Sequence, residues 1–103
     1  MCLSTCPPAE ADRLAEALVQ ERVAACVNVL GPIRSRFWWD GAMQSDQESL
    51  LIAKTSDDKV ETLIARLQEL HPYDMPEILA IPVETGLAGY LAWVDAETLA
   101  RSG

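Results

Sequence analysis

One dipeptide, Asp40-Gly41, constrains the fold of this chain more than any other feature. It follows a β-branched and aromatic stretch from Cys26 to Trp39, and the chain then returns through Met43 to Thr55. Asp-Gly readily takes the positive φ angles of a tight hairpin turn. The sequence therefore predicts one long strand, bent or bulged at Gly31-Pro32, that pairs with a returning strand.

The outer half of this hairpin is predicted to project beyond the core. The returning strand is polar from Gln44 to Ser49 and becomes apolar only from Leu50 to Ala53. Phe37, Trp38 and Trp39 lie on the projecting half, and exposed aromatic residues on a ribbon favour contact with a partner. These three residues are predicted to form a subunit interface.

Two segments with helical periodicity flank the hairpin. The first opens at Pro7-Pro8, after a short β-prone start from Cys2 to Thr5, and is predicted to run to about Arg22. The second is predicted to be capped by Ser56-Asp57-Asp58 and to end before Pro72. In both, apolar residues recur at three- and four-residue steps, so one face of each helix should pack on a sheet.

The last part of the chain is predicted to hold a strand and a helix. The strand spans Glu77 to Val83, and Pro82 favours an edge position or a strand end because proline lacks an amide donor. The helix starts at about Ala88. It is expected to bury Tyr90, Leu91 and Val94 and to expose Asp95, Glu97 and Arg101.

The order strand, helix, strand, strand, helix, strand, followed by a helical tail, predicts an α+β fold. It is the ferredoxin-like split βαβ plan, with an antiparallel sheet and helices on one face. The length of 103 residues suits one domain, residues 1–103. The other sheet face and the long hairpin would then need cover, which copies of the chain can supply, so a homo-oligomer is expected.

The charge balance narrows the range of partners. Sixteen acidic residues against eight basic ones give a net charge of −8, which repels a phosphate backbone, so no nucleic-acid partner is expected. Apolar residues never form a run of about 20, so no membrane partner is expected either. The start does not resemble a signal sequence, and the three cysteines fit no zinc or disulfide pattern. A cytoplasmic protein with reduced thiols is the expectation.

Five segments together resemble the CutA divalent-cation-tolerance family. They are Glu21–Asn28, Trp39–Gly41, Leu51–Thr55, His71–Ile78 and Gly86 with Tyr90–Trp93. The resemblance implies a homotrimer in which long hairpins run across to neighbouring subunits. It also implies a likeness to the PII signalling proteins, a role in tolerance of copper and other divalent cations, and no covalent chemistry.

The candidate metal ligands are Cys6, Cys26 and His71, for copper or another divalent cation, although no cofactor is firmly indicated. His71 is the only histidine and can ligate Cu²⁺ or Zn²⁺, or can simply bond the last carbonyls of the preceding helix. Cys6 lies at a helix start, which favours a reactive thiolate. Cys26 lies in a β-prone run, where core packing is the alternative role.

Four further residues are predicted to be loop or structural residues: Tyr73, Asp74, Glu77 and Trp93. The two aromatic residues can line a ligand pocket or fill a subunit interface. The two acids can coordinate a hard cation, or Glu77 can accept bonds from a basic residue of a neighbouring subunit.

The leading hypothesis is a non-enzymatic homotrimer with weak metal contact, because the chain holds no recognisable hydrolase or nucleotide motif. A PII-like signalling module is the first alternative. It would bind a small anionic ligand between subunits, with Arg34, Arg36 and Lys54 as contacts. A purely structural or partner-binding trimer is the second alternative.

Overall fold

The order of elements along the chain is that of a split βαβ fold with an added C-terminal helix. The computed structural model describes residues 1–99. Its elements are β1 (Cys2–Cys6), α1 (Pro8–Gln20), β2 (Cys26–Trp39), β3 (Ala42–Lys54), a 3₁₀ turn (Asp57–Lys59), α2 (Val60–Leu70), β4 (Ile78–Ala80) and α3 (Ala88–Glu97). The predicted element order is confirmed. None of these helices is long and apolar enough to cross a membrane.

The four strands form one antiparallel sheet in the order β2-β3-β1-β4. This order confirms the predicted ferredoxin-like plan. Strand β4 lies at an edge, as Pro82 suggested, but it is shorter than the predicted Glu77–Val83. The pairing continues only through Ile81, whose amide donates to the Met1 carbonyl at 2.7 Å. The next residue is Pro82, which has no amide to continue it.

The core lies between the sheet and the two helices α1 and α2. Alternate residues of β1 face the helices, since Cys2, Ser4 and Cys6 are all buried. Their neighbours in β3 on the same face, Leu51 and Ala53, are buried too. The helices contribute their periodic apolar positions, namely Ala11, Leu14, Leu18, Leu63 and Leu67. The burial predicted for the apolar face of each helix is therefore confirmed for these residues.

The opposite face of the sheet carries apolar side chains and has no helix over it. The register places Leu3 opposite Ile52 and Leu79, and Leu50 opposite Leu30. We call these five residues the open face. Leu79 is 54% exposed and Leu30 is 43% exposed.

The hairpin turn and the bend in β2 are both as predicted. Asp40 and Gly41 have φ angles of 52° and 77°, which close the turn between β2 and β3. The register shifts between Leu30 and Ile33, so Gly31-Pro32 forms a β-bulge opposite Ser49. A Cβ atom at Gly31 would lie 2.9 Å from Ser49 Oγ, so the bulge needs glycine there.

Both long helices differ from prediction at one end. Helix α1 stops at Gln20, and Arg22 takes a left-handed φ of 61°, which an α-helix does not continue through. Helix α2 begins only after the 3₁₀ turn, and Ser56 makes no capping hydrogen bond. The Ser56 hydroxyl lies instead 3.1 Å from Thr98 Oγ1, so tertiary contact replaces the local cap.

Helix α3 is less buried than the sequence suggested. Val94 is buried, but Tyr90 is 41% exposed and Leu91 is 37% exposed, so their predicted burial is wrong. The helix is fastened near its C-terminal end, where Arg22 Nη1 donates to Glu97 Oε2 at 2.9 Å, and this leaves its first turns uncovered. Asp95 is exposed as predicted, whereas Glu97 is half-buried by this pairing. The prediction for Arg101 falls outside the described residues.

Candidate functional site

A groove of about 740 Å³ lies between the projecting half of the hairpin and the loop that follows α2. Its main lining residues are Phe37, Trp39, Asp46, Glu48, Tyr73 and Glu77, and we call it the groove. A volume of this size falls within the range of about 300–1,000 Å³ that is usual for small-molecule sites. It is therefore the candidate functional site of a single protomer.

One wall of the groove is formed by side chains that share a face of the hairpin. Asp46 and Glu48 alternate along β3, and Phe37 and Trp39 alternate along β2, so all four project from one face of the hairpin. That face is continuous with the open face, because Glu48 and Leu50 also alternate. The groove therefore continues the uncovered side of the sheet.

Two hydrogen bonds to β1 fix the other wall, the loop of residues 71–77. At one end, His71 Nε2 lies 2.8 Å from the Thr5 carbonyl oxygen. At the other end, the buried Ser4 hydroxyl donates to the Glu77 carbonyl at 2.7 Å. The loop is thus held against the sheet at both ends.

His71 serves as a structural residue within this wall. It is buried, and its Nδ1 accepts the amide N–H of Tyr73 at 3.1 Å while Nε2 bonds Thr5. The two bonds require the proton on Nε2. The ring also lies 4.8 Å from that of Tyr73, centroid to centroid. His71 therefore bonds β1 rather than the last carbonyls of α2, and both its nitrogens are occupied.

Tyr73 joins the two walls of the groove. Its hydroxyl donates to Glu48 Oε2 at 3.1 Å, and Glu48 is only 6% exposed. Burial, followed by the hydrogen bond and the negative charge of Glu48, raises the pKa of Tyr73 to about 12. The phenol therefore stays protonated and acts as a hydrogen-bond donor across the physiological range.

Cys6 lies beneath the groove in the core. Burial raises the pKa of its thiol to about 11, and the carboxylates of Glu48 and Glu10 act in the same direction, partly offset by Arg13. The expectation that the start of α1 would favour a thiolate at Cys6 is therefore wrong. Desolvation outweighs the helix end here.

The three candidate metal ligands do not converge within one protomer. Cys6 lies opposite Ser49 of β3, and Cys26 lies opposite Lys54, five residues away. At about 3.4 Å per residue, the two cysteines are separated by about 17 Å along β3, and they lie on the two strands that flank it. Cys26 is half-buried, so it is not a fully buried core residue. Together with the occupied nitrogens of His71, this geometry does not fit a shared metal centre.

Across residues 1–99, no three His, Cys, Asp or Glu side chains are arranged so that they could hold a metal ion. Asp74 and Glu77 line the groove, but they are not part of such a cluster. Trp93 lies away from it on α3, with its ring 5.6 Å from that of Tyr90.

The predicted anion contacts are also separated. Arg36 lines the groove and pairs with Ser45, whereas Lys54 lies nine residues further along β3, about 30 Å away. Arg34 is not among the lining residues. The three cations therefore do not form one anion site in a protomer.

The groove itself is acidic. Its lining residues include four acids, Asp46, Glu48, Asp74 and Glu77, and one basic residue, Arg36, whose position alternates with that of the inward-facing Phe37. Sequence reasoning did not single out Asp46 or Glu48. Their alternation in the polar half of β3 could have shown that these two acids share one face of the strand. The burial of Glu48 could not be predicted, because it depends on a loop that is distant in sequence.

The sheet, the two covering helices and the projecting hairpin with a groove at its base define a class: small ferredoxin-like α+β proteins with an extended β-ribbon. A family model described as CutA1 divalent ion tolerance protein matches residues 1–97. The chain belongs to this family.

Three similar proteins illustrate the match. "Protein CutA 1, chloroplastic" of Oryza sativa subsp. japonica is 41% identical over 95 residues, which are 91% of this chain and 54% of the rice protein. This chain therefore spans about half the length of that relative. The crystal structure of CutA from Xylella fastidiosa has a TM-score of 0.92 at 42% identity and covers 94% of both chains. The "PII-like protein CutA" of Nostoc sp. PCC 7120, in apo form, has a TM-score of 0.91 at 38% identity and covers 95% of both chains.

Proposed function

We propose that this protein acts in divalent-cation tolerance as a non-catalytic homotrimer. The open face is the observation that carries the proposal. It is a patch of five adjacent apolar side chains on one side of the sheet, and a contiguous patch of this kind marks an interaction site. The family resemblance indicates that three copies associate. Association would bury the apolar side chains of the open face, which is the physical reason for it.

The projecting hairpin supports the same proposal. Trp38 is 76% exposed and Trp39 is 58% exposed, while Phe37 is 37% exposed. Trp and Tyr are enriched in the buried centres of interfaces. We therefore assign these three aromatic residues to contact with a neighbouring copy, across which the hairpin would extend.

The non-catalytic part of the proposal rests on the groups in the groove. Acid–base catalysis needs a group that can exchange a proton near the working pH. Tyr73 has a pKa raised to about 12, and His71 has both ring nitrogens in hydrogen bonds to the backbone. These two residues hold the loop in place rather than act on a substrate.

Metal contact is proposed to be weak and to involve separate ligands. Cys26 is the one partly exposed thiol of the three cysteines, and soft thiolates prefer Cu(I). Cys6 and His71 are buried and would contribute only through rearrangement. A purely structural trimer predicts the same assembly without copper uptake, so a copper titration separates these two functions.

The remaining features of the proposal are a single domain over residues 1–103, a cytoplasmic location and no nucleic-acid or membrane partner. Free thiols at Cys2, Cys6 and Cys26 suit a reducing compartment. The net charge of −8 disfavours nucleic acid. Cell fractionation tests the location.

The assembly is tested by measuring mass in solution for the wild type and two variants. Leu79→Lys places a charge on the open face, and Val19→Lys places the same charge on the exposed side of α1, where Val19 is 41% exposed. We expect a trimer for the wild type and for Val19→Lys, and smaller species for Leu79→Lys. A monomeric wild type, or equal behaviour of the two variants, would refute the proposal.

A further inference from the structure

Residues 79–93 form an apolar segment of which every residue is exposed in the protomer. The segment comprises the end of β4, a stretch without secondary structure and the first turns of α3. Apart from Glu84, Thr85 and the Tyr90 hydroxyl, its side chains carry no polar group. We call residues 79–93 the uncovered segment. Ordering a chain costs conformational entropy that burial has to offset, and this segment buries little within the protomer.

Helix α3 is held in the protomer only near its C-terminal end. Of residues 88–97, Val94 alone is buried, and it is not part of the core between the sheet and the other two helices. The other anchors are polar, since Arg22 bonds Glu97 and the Thr98 hydroxyl lies 3.1 Å from that of Ser56. An isolated helix shorter than about 12 residues is marginal in water, and α3 has ten. Its first turns therefore need a cover that the protomer does not supply.

We propose that α3 forms and docks only when a second copy of the chain covers the uncovered segment. The inference rests on the proposed function, which supplies the second copy. It adds that the folding of α3 is coupled to assembly, whereas the core between the sheet, α1 and α2 folds within each protomer.

The uncovered segment is continuous with the open face, and this continuity identifies the second copy as its cover. Leu79 belongs to both. The Ile81 amide continues the pairing of β4 by donating to the Met1 carbonyl, and residues two apart on a strand share a face. Ile81 therefore extends the open face towards Val83 and α3. A neighbour that covers Leu79 also meets the start of the uncovered segment.

The chemistry of the segment suits a copy of this chain better than a lipid surface. Tyr90 and Trp93 are 41% and 43% exposed, with ring centroids 5.6 Å apart, and both residue types are enriched in protein interfaces. The segment has no basic residue and the chain has a net charge of −8, which disfavours an anionic membrane. The exposed Trp38 and Trp39 of the projecting hairpin offer each neighbour an apolar counterpart.

Hydrogen exchange measured by mass spectrometry on the intact protein tests the coupling. The wild type is compared with Leu79→Lys, which should dissociate, and with Val19→Lys, which should stay assembled. We expect the amides of residues 88–97 to exchange at least tenfold more slowly in the two assembled proteins than in Leu79→Lys. The amides of α1 and α2 should stay protected in all three. Dilution of the wild type until it dissociates gives the same comparison without a substitution near the segment.

Trp93→Ala tests the interface itself. Trp93 is half-exposed in the protomer, and alanine has the higher helix propensity, so the substitution spares both the core and the helix. We expect it to raise the concentration of half-dissociation about tenfold, because a buried Trp often dominates an interface. Asp95→Ala, at an exposed position of the same helix, is the matched control and should leave this concentration unchanged.

Three results would overturn the inference while leaving the trimer in place. One is equal protection of residues 88–97 in the assembled wild type and in its monomer. Another is the absence of protection of these residues in the assembled wild type. The third is an equal effect of Trp93→Ala and Asp95→Ala on assembly. A wild type that is monomeric at every concentration would instead refute the proposed function, and the mass recorded on each sample separates the two failures.

Discussion

The Tyr73 hydroxyl and the Glu48 carboxylate join two elements that are far apart in sequence, with Oη 3.1 Å from Oε2. This hydrogen bond fastens the loop after α2 to the base of the hairpin. It also gives the nearly buried Glu48 its one hydrogen-bond donor among residues 1–99. The relative position of the two groove walls therefore depends on this pair.

Tyr73→Phe should lower the free energy of unfolding by about 1–3 kcal/mol, because it leaves the Glu48 carboxylate buried without a donor. Urea denaturation measures the change. Tyr90→Phe is the matched control, since Tyr90 on α3 is exposed and lies outside the groove. Equal stability of the two variants would show that the hydrogen bond contributes nothing.

The stability of the protein should fall between pH 9 and pH 11. Burial raises the pKa of Cys6 from 9.0 to about 11, so the unfolded chain loses this proton before the folded protein does. The stabilising contribution is complete below pH 9 and is lost as the pH rises towards 11. Cys6→Ala should therefore lose less stability over this interval than the wild type, by roughly 1–3 kcal/mol.

Denaturant titrations at both ends of that interval measure the difference. Cys26→Ala serves as the control because it leaves Cys6 in place. If Cys6→Ala and the wild type lost the same stability between pH 9 and pH 11, the raised pKa of Cys6 would be excluded as the cause.

Arg22→Gly should be more stable than Arg22→Ala by about 1 kcal/mol. Both variants lose the contact with Glu97, but the position has a φ of 61°, which glycine adopts without strain and alanine does not. Thermal unfolding of the two variants isolates the backbone effect from the ion pair. The reverse order would mean that Arg22 leaves the left-handed region in solution.

Copper uptake should depend on Cys26 alone among the three predicted ligands. Cys26→Ala should lower Cu(I) uptake, whereas Cys6→Ala and His71→Ala should leave it unchanged, because those two side chains are buried and do not converge with Cys26. Titration with a Cu(I) indicator measures the uptake. If all three variants lost the same stoichiometric site, convergence of the ligands across subunits would follow.

Local sequence signals predicted the fold well. Asp40-Gly41 marked the turn, Gly31-Pro32 marked the bulge, and the apolar periods marked the buried faces of α1 and α2. These signals act within a few residues and need no knowledge of distant contacts. The capping hydrogen bond predicted for Ser56 is absent, and the contact its hydroxyl does make is with Thr98, 42 residues away, which no local pattern indicates.

The candidate site was much harder to predict. Cys6 and Cys26 could be placed on one sheet from the sequence, but only the strand register shows that they are five residues apart along β3. Glu48 resembled its solvent-exposed neighbours because its burial is produced by Tyr73, which folds over it. The residues of such a site come from several elements and are brought together by strand pairing and loop packing. Residue patterns within one element do not predict these contacts.

The bulge at Gly31-Pro32 also determines which half of the β2 side chains meets the groove. Before it, even-numbered residues such as Leu30 share a face with Leu50, and after it odd-numbered residues such as Phe37 and Trp39 lie on that face. Without the bulge, the same sequence would pair Arg34 with Asp46 and Arg36 with Gln44, and both arginines would lie on the groove face in place of Phe37 and Trp39. The charge of the groove is therefore determined by the bulge at Gly31-Pro32, although the bulge lies in a different part of β2.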